Sequence, residues 1–153
     1  MTNKYLYAIG VDPDVDRSGI AVYEILRNKL IVVDSLSLCD LFDSIINLKN
    51  TLDIDEFIVR LEAGWLQKKS NWHASMNQYT AQRIASNVGA NHEIGRQIEK
   101  MLIRHNINYE LLNPSGYSSF FKDAELFKRT TGWNEKTNND SRSACAMVWG
   151  YKN

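Results

Sequence analysis

Asp12 is the residue whose position most clearly points to chemistry. It follows residues 5–11 (YLYAIGV), an almost uninterrupted apolar run that is typical of a strand buried on both faces. Pro13 cannot donate a hydrogen bond to a neighbouring strand, so the strand is expected to end here. Carboxylates rarely enter a core without a partner or a metal ion. Asp12 is therefore the first candidate metal ligand.

Two further acids occupy comparable positions. Glu62 ends a predicted strand at 55–62 (DEFIVRLE), and Asp140 lies in the first turn of a predicted last helix, where the helix dipole favours an anion. If the first and fourth strands are parallel neighbours, Asp12 and Glu62 emerge at the same edge. Converging carboxylates repel one another unless a cation neutralises them, and their hard oxygens suit Mg²⁺ or Mn²⁺. Two such ions about 4 Å apart would bind both oxygens of a phosphodiester displacement. Taken singly, Glu62 and Asp140 are better explained as surface charges.

The hydrophobic pattern predicts the elements that would position these acids. Three strands in succession, followed by strands that alternate with helices, predict one α/β domain over residues 1–153. Its mixed five-stranded sheet combines a three-strand antiparallel meander with parallel strands, and helices cover both faces. Gly89 and Gly95 weaken the prediction of one long helix, because glycine in a helix costs about 1 kcal/mol relative to alanine unless close packing requires it. The predicted strands are 4–11, 19–26, 29–34, 55–62 and 108–112. The predicted helices are 39–49, 80–105, 117–128 and 138–149, the last of which Asn138 or Asn139 can cap.

The segments that carry these acids resemble the RuvC family of Holliday-junction resolvases. Residues 9–13 (IGVDP), with 19–22 (GIAV) after them, are similar to the family's opening: an apolar strand, an Asp-Pro turn and a glycine that begins the next strand. Glu62, in 59–62 (VRLE), matches the family's second acid at the end of the fourth strand. Asp140, in 139–144 (NDSRSA), matches an acid near the start of the last helix. The order of elements is similar over almost the whole chain.

This resemblance implies an RNase H-like fold and a metal-dependent endonuclease. The expected substrate is branched DNA, above all the four-way (Holliday) junction, and the expected cofactor is Mg²⁺ or Mn²⁺. The resemblance also implies that Asp12, Glu62 and Asp140 are both metal ligands and catalytic residues, and that Trp65 reaches the centre of the junction. It further implies a homodimer, because two symmetric cuts need two active sites.

The chain departs from the family pattern in three ways. Asp14 stands where glycine is usual, and Ser143 stands where a fourth acid is expected. Lys plus Arg and Asp plus Glu each number 18, so the formal net charge is zero and bulk charge does not favour nucleic acid. Asp14, Asp16 and Asn139 are alternative candidates to compensate for Ser143. These departures leave the number of metal ions open and sustain a competing hypothesis, a non-catalytic module that binds junctions or other nucleic acid on the same fold.

Aromatic and basic side chains follow Glu62 in residues 63–77 (AGWLQKKSNWHASMN), which are predicted to form an exposed loop. Bases stack on aromatic rings at about 1–3 kcal/mol each, and basic side chains neutralise phosphates. Further basic residues lie near Asp140 in the sequence. The alternative is that the tryptophans pack on the core and the charges form a solvated surface. The predicted nucleic-acid-binding residues are Trp65, Lys68, Lys69, Lys136 and Arg142.

Two other motifs compete at Asp12. Residues 12–16 (DPDVD) resemble the start of an EF-hand calcium loop, which needs glycine at its sixth position and an acid at its twelfth. Arg17 and Tyr23 occupy those positions and exclude the motif. A strand followed by Asp-x-Asp also resembles haloacid-dehalogenase-type phosphatases, in which the first Asp is the nucleophile. A β-rich segment follows at once in this chain, so the phosphatase remains a minor alternative.

The cysteines and the hydropathy pattern predict the compartment. Cys39 and Cys145 are far apart and lack metal-ligand spacing, which is typical of reduced thiols in the cytoplasm. No apolar run reaches membrane-spanning length, and the first residues lack a stretch suited to secretion. The expectation is a soluble, cytoplasmic protein without a membrane partner.

Overall fold

A computed structural model describes residues 4–67, 77–114 and 121–153 of the chain. Within these ranges, no helix is long and apolar enough to cross a bilayer. The strands are β1 (Tyr7–Asp12), β2 (Ser18–Glu24), β3 (Lys29–Leu36), β4 (Phe57–Glu62) and β5 (Tyr109–Leu112). The α-helices are α1 (Leu38–Thr51), α2 (Gln78–Arg104), α3 (Ala124–Thr131) and α4 (Asn139–Val148), and short 3-10 turns form at Ile54–Glu56 and Gly64–Leu66.

The strands form one mixed sheet in the order β3-β2-β1-β4-β5. β1 pairs antiparallel with β2, and β2 pairs antiparallel with β3. β4 lies parallel to both β1 and β5. This topology confirms the predicted meander and the predicted parallel strands, and it meets the condition that β1 and β4 be parallel neighbours. It contradicts the phosphatase alternative, because β1 runs directly into its antiparallel partner instead of into a helix or cap region.

Helices cover both faces of the sheet, as predicted. Side chains alternate along β1 and β4, so successive residues enter different cores. α1 and α2 cover one core, whose fully buried members include Ile9, Val11, Leu41, Val59, Leu61, Ile98 and Leu102. α3 and α4 cover the other, whose buried members include Ala8, Ala21, Ile58, Phe127, Ala144 and Met147.

Two glycines let α4 lie very close to the sheet. A Cβ atom on Gly10 of β1 would overlap the carbonyl oxygen of Ala144, and one on Gly19 of β2 would overlap the carbonyl oxygen of Asp140. Any larger residue at either position would push the helix outwards. The first turn of α4 therefore rests directly on β2 at Gly19, and its second turn rests on β1 at Gly10.

Residues 63–67 and 121–131 differ from the predicted elements. The prediction of an exposed loop is wrong at its start, because Ala63 is buried and residues 64–66 form a turn. In the described part of the predicted helix at 117–128, residues 121–123 are not helical. The helix α3 begins at Ala124, where the Asp123 carboxylate accepts hydrogen bonds from the backbone N–H groups of Glu125 and Leu126. Residues 68–76 and 115–120 lie outside the described ranges.

Candidate active site

Asp12 and Glu62 emerge side by side from two parallel strands. Val11 of β1 pairs with Leu61 of β4, and the next residue of each strand is a carboxylate. Val11 and Leu61 are both buried in the core beneath α1 and α2. Because side chains alternate along a strand, the two carboxylates lie on the opposite face, which α4 covers.

Asp140 reaches the same place from the first turn of α4. Asn138 caps this helix, as predicted: its side chain accepts a hydrogen bond from the N–H of Ser141 at 2.8 Å, and the Ser141 hydroxyl oxygen accepts one from the N–H of Asn138 at 3.0 Å. Asp12, Glu62 and Asp140 all line one open cavity of about 240 Å³. The predicted convergence of three acids from distant parts of the sequence is therefore present.

The acids perturb one another's proton affinity. Burial, followed by the charges of Glu62 and Asp140, raises the pKa of Asp12 from 3.8 to about 8. Burial also raises the pKa of Glu62, with a contribution from Asp140. The pKa of Asp140 is raised by burial and by the charge of Asp14. Negative charge is thus unfavourable in this cavity unless a cation enters it.

Ser143 lies between the two strand-end carboxylates. It is 7% exposed, and its hydroxyl donates a hydrogen bond to Oε2 of Glu62 at 3.4 Å. Hydrogen bonding to Ser143 also lowers the pKa of both Asp12 and Glu62, which opposes the larger effect of burial. Ser143, at the expected position of a fourth acid, therefore offers Asp12 and Glu62 one neutral hydroxyl donor.

The donor set suits a divalent cation, although the acids do not form a finished coordination shell. In the described ranges, no group of three or more His, Cys, Asp or Glu side chains is close enough to hold a metal ion as the side chains stand. The carboxylates nevertheless share one cavity, and they have the hard oxygens that Mg²⁺ and Mn²⁺ prefer. Burial and mutual repulsion raise the pKa values of these acids, and a divalent cation in the cavity would favour their ionised forms.

Asp14 also acts on this cavity. Its Oδ1 atom accepts hydrogen bonds from the backbone N–H of Asp16 at 2.9 Å, and its Oδ2 atom accepts one from the Asn91 side chain at 3.3 Å. Its charge contributes to the raised pKa values of Asp12 and Asp140. By contrast Asn139, another candidate to compensate for Ser143, accepts a hydrogen bond from Arg142.

α2 supplies a wall of the cavity that the sequence analysis did not foresee. Val88, Asn91 and His92 line it together with Trp65 of the turn that follows β4. Burial and the charge of Arg96 lower the pKa of His92, which favours the neutral imidazole. Positions 88, 91, 92 and 95 lie on one face of a helix, and this spacing in the sequence could have indicated that α2 faces the cavity.

The predicted nucleic-acid-binding residues have different surroundings. Trp65 is half-buried at the cavity, where its ring lies against Gly95 and 5.7 Å from the Arg96 guanidinium. Close packing against Trp65 therefore explains why a glycine is found at position 95, within a helix. Lys136 is exposed, and its predicted role remains a prediction. Lys68 and Lys69 lie outside the described residues, as do Trp72 and His73.

Arg142 is not on the predicted DNA surface. It is 7% exposed, and its guanidinium donates to the carbonyl of Phe121 at 2.9 Å, to the Thr137 hydroxyl at 2.9 Å and to Asn139 Oδ1 at 2.7 Å. Burial directs its donors to groups of this chain instead of to a phosphate. The prediction that Arg142 contacts nucleic acid is therefore corrected to a structural role that ties α4 to the segment before α3.

The sheet order, with helices on both faces, defines an α/β protein with the RNase H-like fold. Among solved structures, the chain is similar to T. thermophilus RuvC in complex with Holliday junction substrate, with a TM-score of 0.59 and 11% sequence identity. The match covers 95% of this chain and 92% of that chain. At this identity the similarity shows a shared fold. No protein-family model matches the sequence, and no curated protein matches it.

Proposed function

We propose that this protein is a metal-dependent endonuclease of the RuvC type that cleaves branched DNA, with four-way junctions as the favoured substrate. The observation that carries the proposal is the convergence of Asp12, Glu62 and Asp140 on one cavity at the edge of an RNase H-like sheet. Support comes from the fold similarity over nearly the full length to T. thermophilus RuvC, a protein seen with Holliday junction substrate.

In this proposal Asp12, Glu62 and Asp140 hold Mg²⁺ or Mn²⁺. When bound, the ion supplies charge for a phosphodiester hydrolysis: it lowers the pKa of water and neutralises the oxygens of the reacting phosphate. The residues of the chain would determine where the ion is held. The β1–β4 pairing holds two ligands at one level, and α4 carries the third. The Ser143 hydroxyl holds Glu62 in orientation.

DNA contacts in this proposal come from both sides of the cavity. Trp65, half-buried at its wall, offers a ring beside the reacting phosphate, and Lys136 offers an exposed cation on the loop before α4. Lys68 and Lys69 keep their predicted role on phosphates. A homodimer would place a second, identical cavity on the other arm of a symmetric junction.

A second candidate function rests on Ser143. A neutral hydroxyl at the position of an expected fourth acid is compatible with a protein that binds junctions without cutting them. The two candidates differ in one measurable respect, since only the nuclease requires the acids for turnover. Both predict binding to four-way junctions.

A cleavage assay separates the two candidates. Labelled four-way junctions, flaps, duplexes and RNA–DNA hybrids are incubated with the protein in Mg²⁺, Mn²⁺ or EDTA. We expect metal-dependent cutting of the junction, and its loss without loss of junction binding in Asp12→Asn, Glu62→Gln and Asp140→Asn. Asp43→Asn, an exposed acid on α1, is the matched control that should cut normally. Binding without cutting by the unaltered protein would support the binding module, and full activity of all three site variants would refute the site.

A further inference from the structure

The turns that carry Asp12 and Glu62 both rest on the middle of α2. Asn91 of α2 accepts a hydrogen bond from the N–H of Val15 at 2.8 Å and donates one to Oδ2 of Asp14 at 3.3 Å. Both partners belong to the segment between β1 and β2, which begins directly after Asp12. The Asn91 side-chain amide therefore accepts a hydrogen bond from the backbone of that segment and donates one to a side chain of the same segment.

The next residues of α2 make close contact with the other turn. The His92 ring lies so close to Gly64 that a Cβ atom there would be 2.7 Å from Nε2, and Gly95 leaves no room for a Cβ beside the Trp65 ring. A Cβ on Gly95 would also be 3.3 Å from Cγ of Pro13. One face of α2 thus contacts the segments that follow both β1 and β4.

We propose that Asn91 is a positioning residue of the metal site, holding the segment after β1 so that Asp12 and the neighbouring carboxylates face one cavity. The inference rests on the proposed function. Asn91 itself lines that cavity, yet its amide is directed at Asp14 and Val15, so it acts on the acids through the turn. An asparagine suits this role because one side chain supplies both a donor and an acceptor without adding charge to an acidic site.

Metal affinity of the folded protein tests this role. Mn²⁺ binding is titrated by the EPR signal of the free ion in the unaltered protein, in Asn91→Ala and in Asn87→Ala, an exposed asparagine one turn earlier on α2. We expect Asn91→Ala to weaken Mn²⁺ binding by about 3- to 10-fold, the loss that one or two net hydrogen bonds would produce. Asn87→Ala should bind as the unaltered protein does. If Asn91→Ala does not fold, Asn91→Ser takes its place with the same expected direction.

The possible results separate this inference from the proposed function. Binding by the unaltered protein together with weaker binding by Asn91→Ala alone supports the positioning role. Equal Mn²⁺ affinity in Asn91→Ala and Asn87→Ala overturns that role. This holds even if Asn91→Ala is less stable to heat, because a residue that affects thermal stability but not Mn²⁺ affinity has only a structural role. No Mn²⁺ binding by the unaltered protein overturns the metal-dependent nuclease itself, and the positioning role with it.

Discussion

Replacing Asp12 by asparagine should make the metal-free protein more stable at alkaline pH. Burial and two neighbouring acids raise the pKa of Asp12 to about 8, against an ordinary value of 3.8. The folded state therefore binds more protons than the unfolded state between these two values. Stability from this group is fully present below the unfolded pKa and is lost as pH rises through the folded pKa. Asparagine has a similar shape and cannot ionise, so the variant escapes this loss.

The size of the effect follows from the two pKa values. At 1.36 kcal/mol for each unit of pKa difference, raising the pH from about 5 to about 8 would destabilise the unaltered protein by about 4 kcal/mol through Asp12 alone. The carboxyl faces an open cavity, so water screens part of its charge, and we expect about 2 kcal/mol. The stability advantage of the variant over the unaltered protein should grow by this amount from the lower pH to the higher one.

Urea unfolding followed by tryptophan fluorescence in EDTA measures this difference across the pH range. Asp43→Asn is the control, since it makes the same chemical change at an exposed position on α1. Mg²⁺ should reverse the order, because an ion at 100 times its dissociation constant stabilises the folded protein by about 2.7 kcal/mol only where the ligand is retained. A stability difference between Asp12→Asn and the unaltered protein that stays the same from pH 5 to pH 8 would refute the reasoning.

Four further variants test the packing and the DNA surface. Gly10→Ala should lower the free energy of unfolding by about 1–3 kcal/mol in urea, because the new methyl group meets the backbone of α4; an unchanged value would contradict that close approach. Arg142→Ala should lower the free energy of unfolding by about 2–4 kcal/mol in the same assay, because interior hydrogen bonds are lost. Lys136→Ala should leave that free energy unchanged. It should instead lower the slope of junction affinity against salt concentration by about one charge. If Lys136→Ala lowered stability and Arg142→Ala changed only the salt dependence of junction binding, Lys136 would be the structural residue and Arg142 the DNA contact. Trp65→Ala should impair cleavage of four-way junctions more than binding to plain duplex in a gel assay, and equal losses would assign the ring to folding.

The strongest sequence signals were those that are local and periodic. The apolar runs before Asp12 and Glu62, and the alternation of later strands with helices, are sufficient to predict a mixed sheet with an antiparallel meander and parallel strands. They leave the pairing of β1 with β4 as a condition. The cap of α4 was foreseen at 138 or 139, because asparagine before a helical segment has few other roles. These features depend on neighbours in the chain, and the structure confirms them.

The errors arose where long-range packing decides. Charge predicts exposure for Arg142, but its buried guanidinium donates to the carbonyl of Phe121, 21 positions earlier, as well as to the nearby Thr137 and Asn139. Trp65 read as part of an exposed loop, although a glycine on α2, 30 positions later, leaves space for its ring. The Phe121 carbonyl and Gly95 both lie far along the chain from the residues that they contact, so no local pattern reveals these two contacts.

The sequence by itself determined which residues stand at the ends of buried strands, since hydrophobic periodicity and Pro13 set those ends whatever the rest of the chain does. Only the tertiary structure decided how these ends are assembled. Gly10 and Gly19 bring α4 down onto the sheet, and Asn91 and Gly95 seat the turns on α2. Such contacts depend on atoms from distant segments meeting at van der Waals and hydrogen-bond distances, which no spacing along a chain specifies.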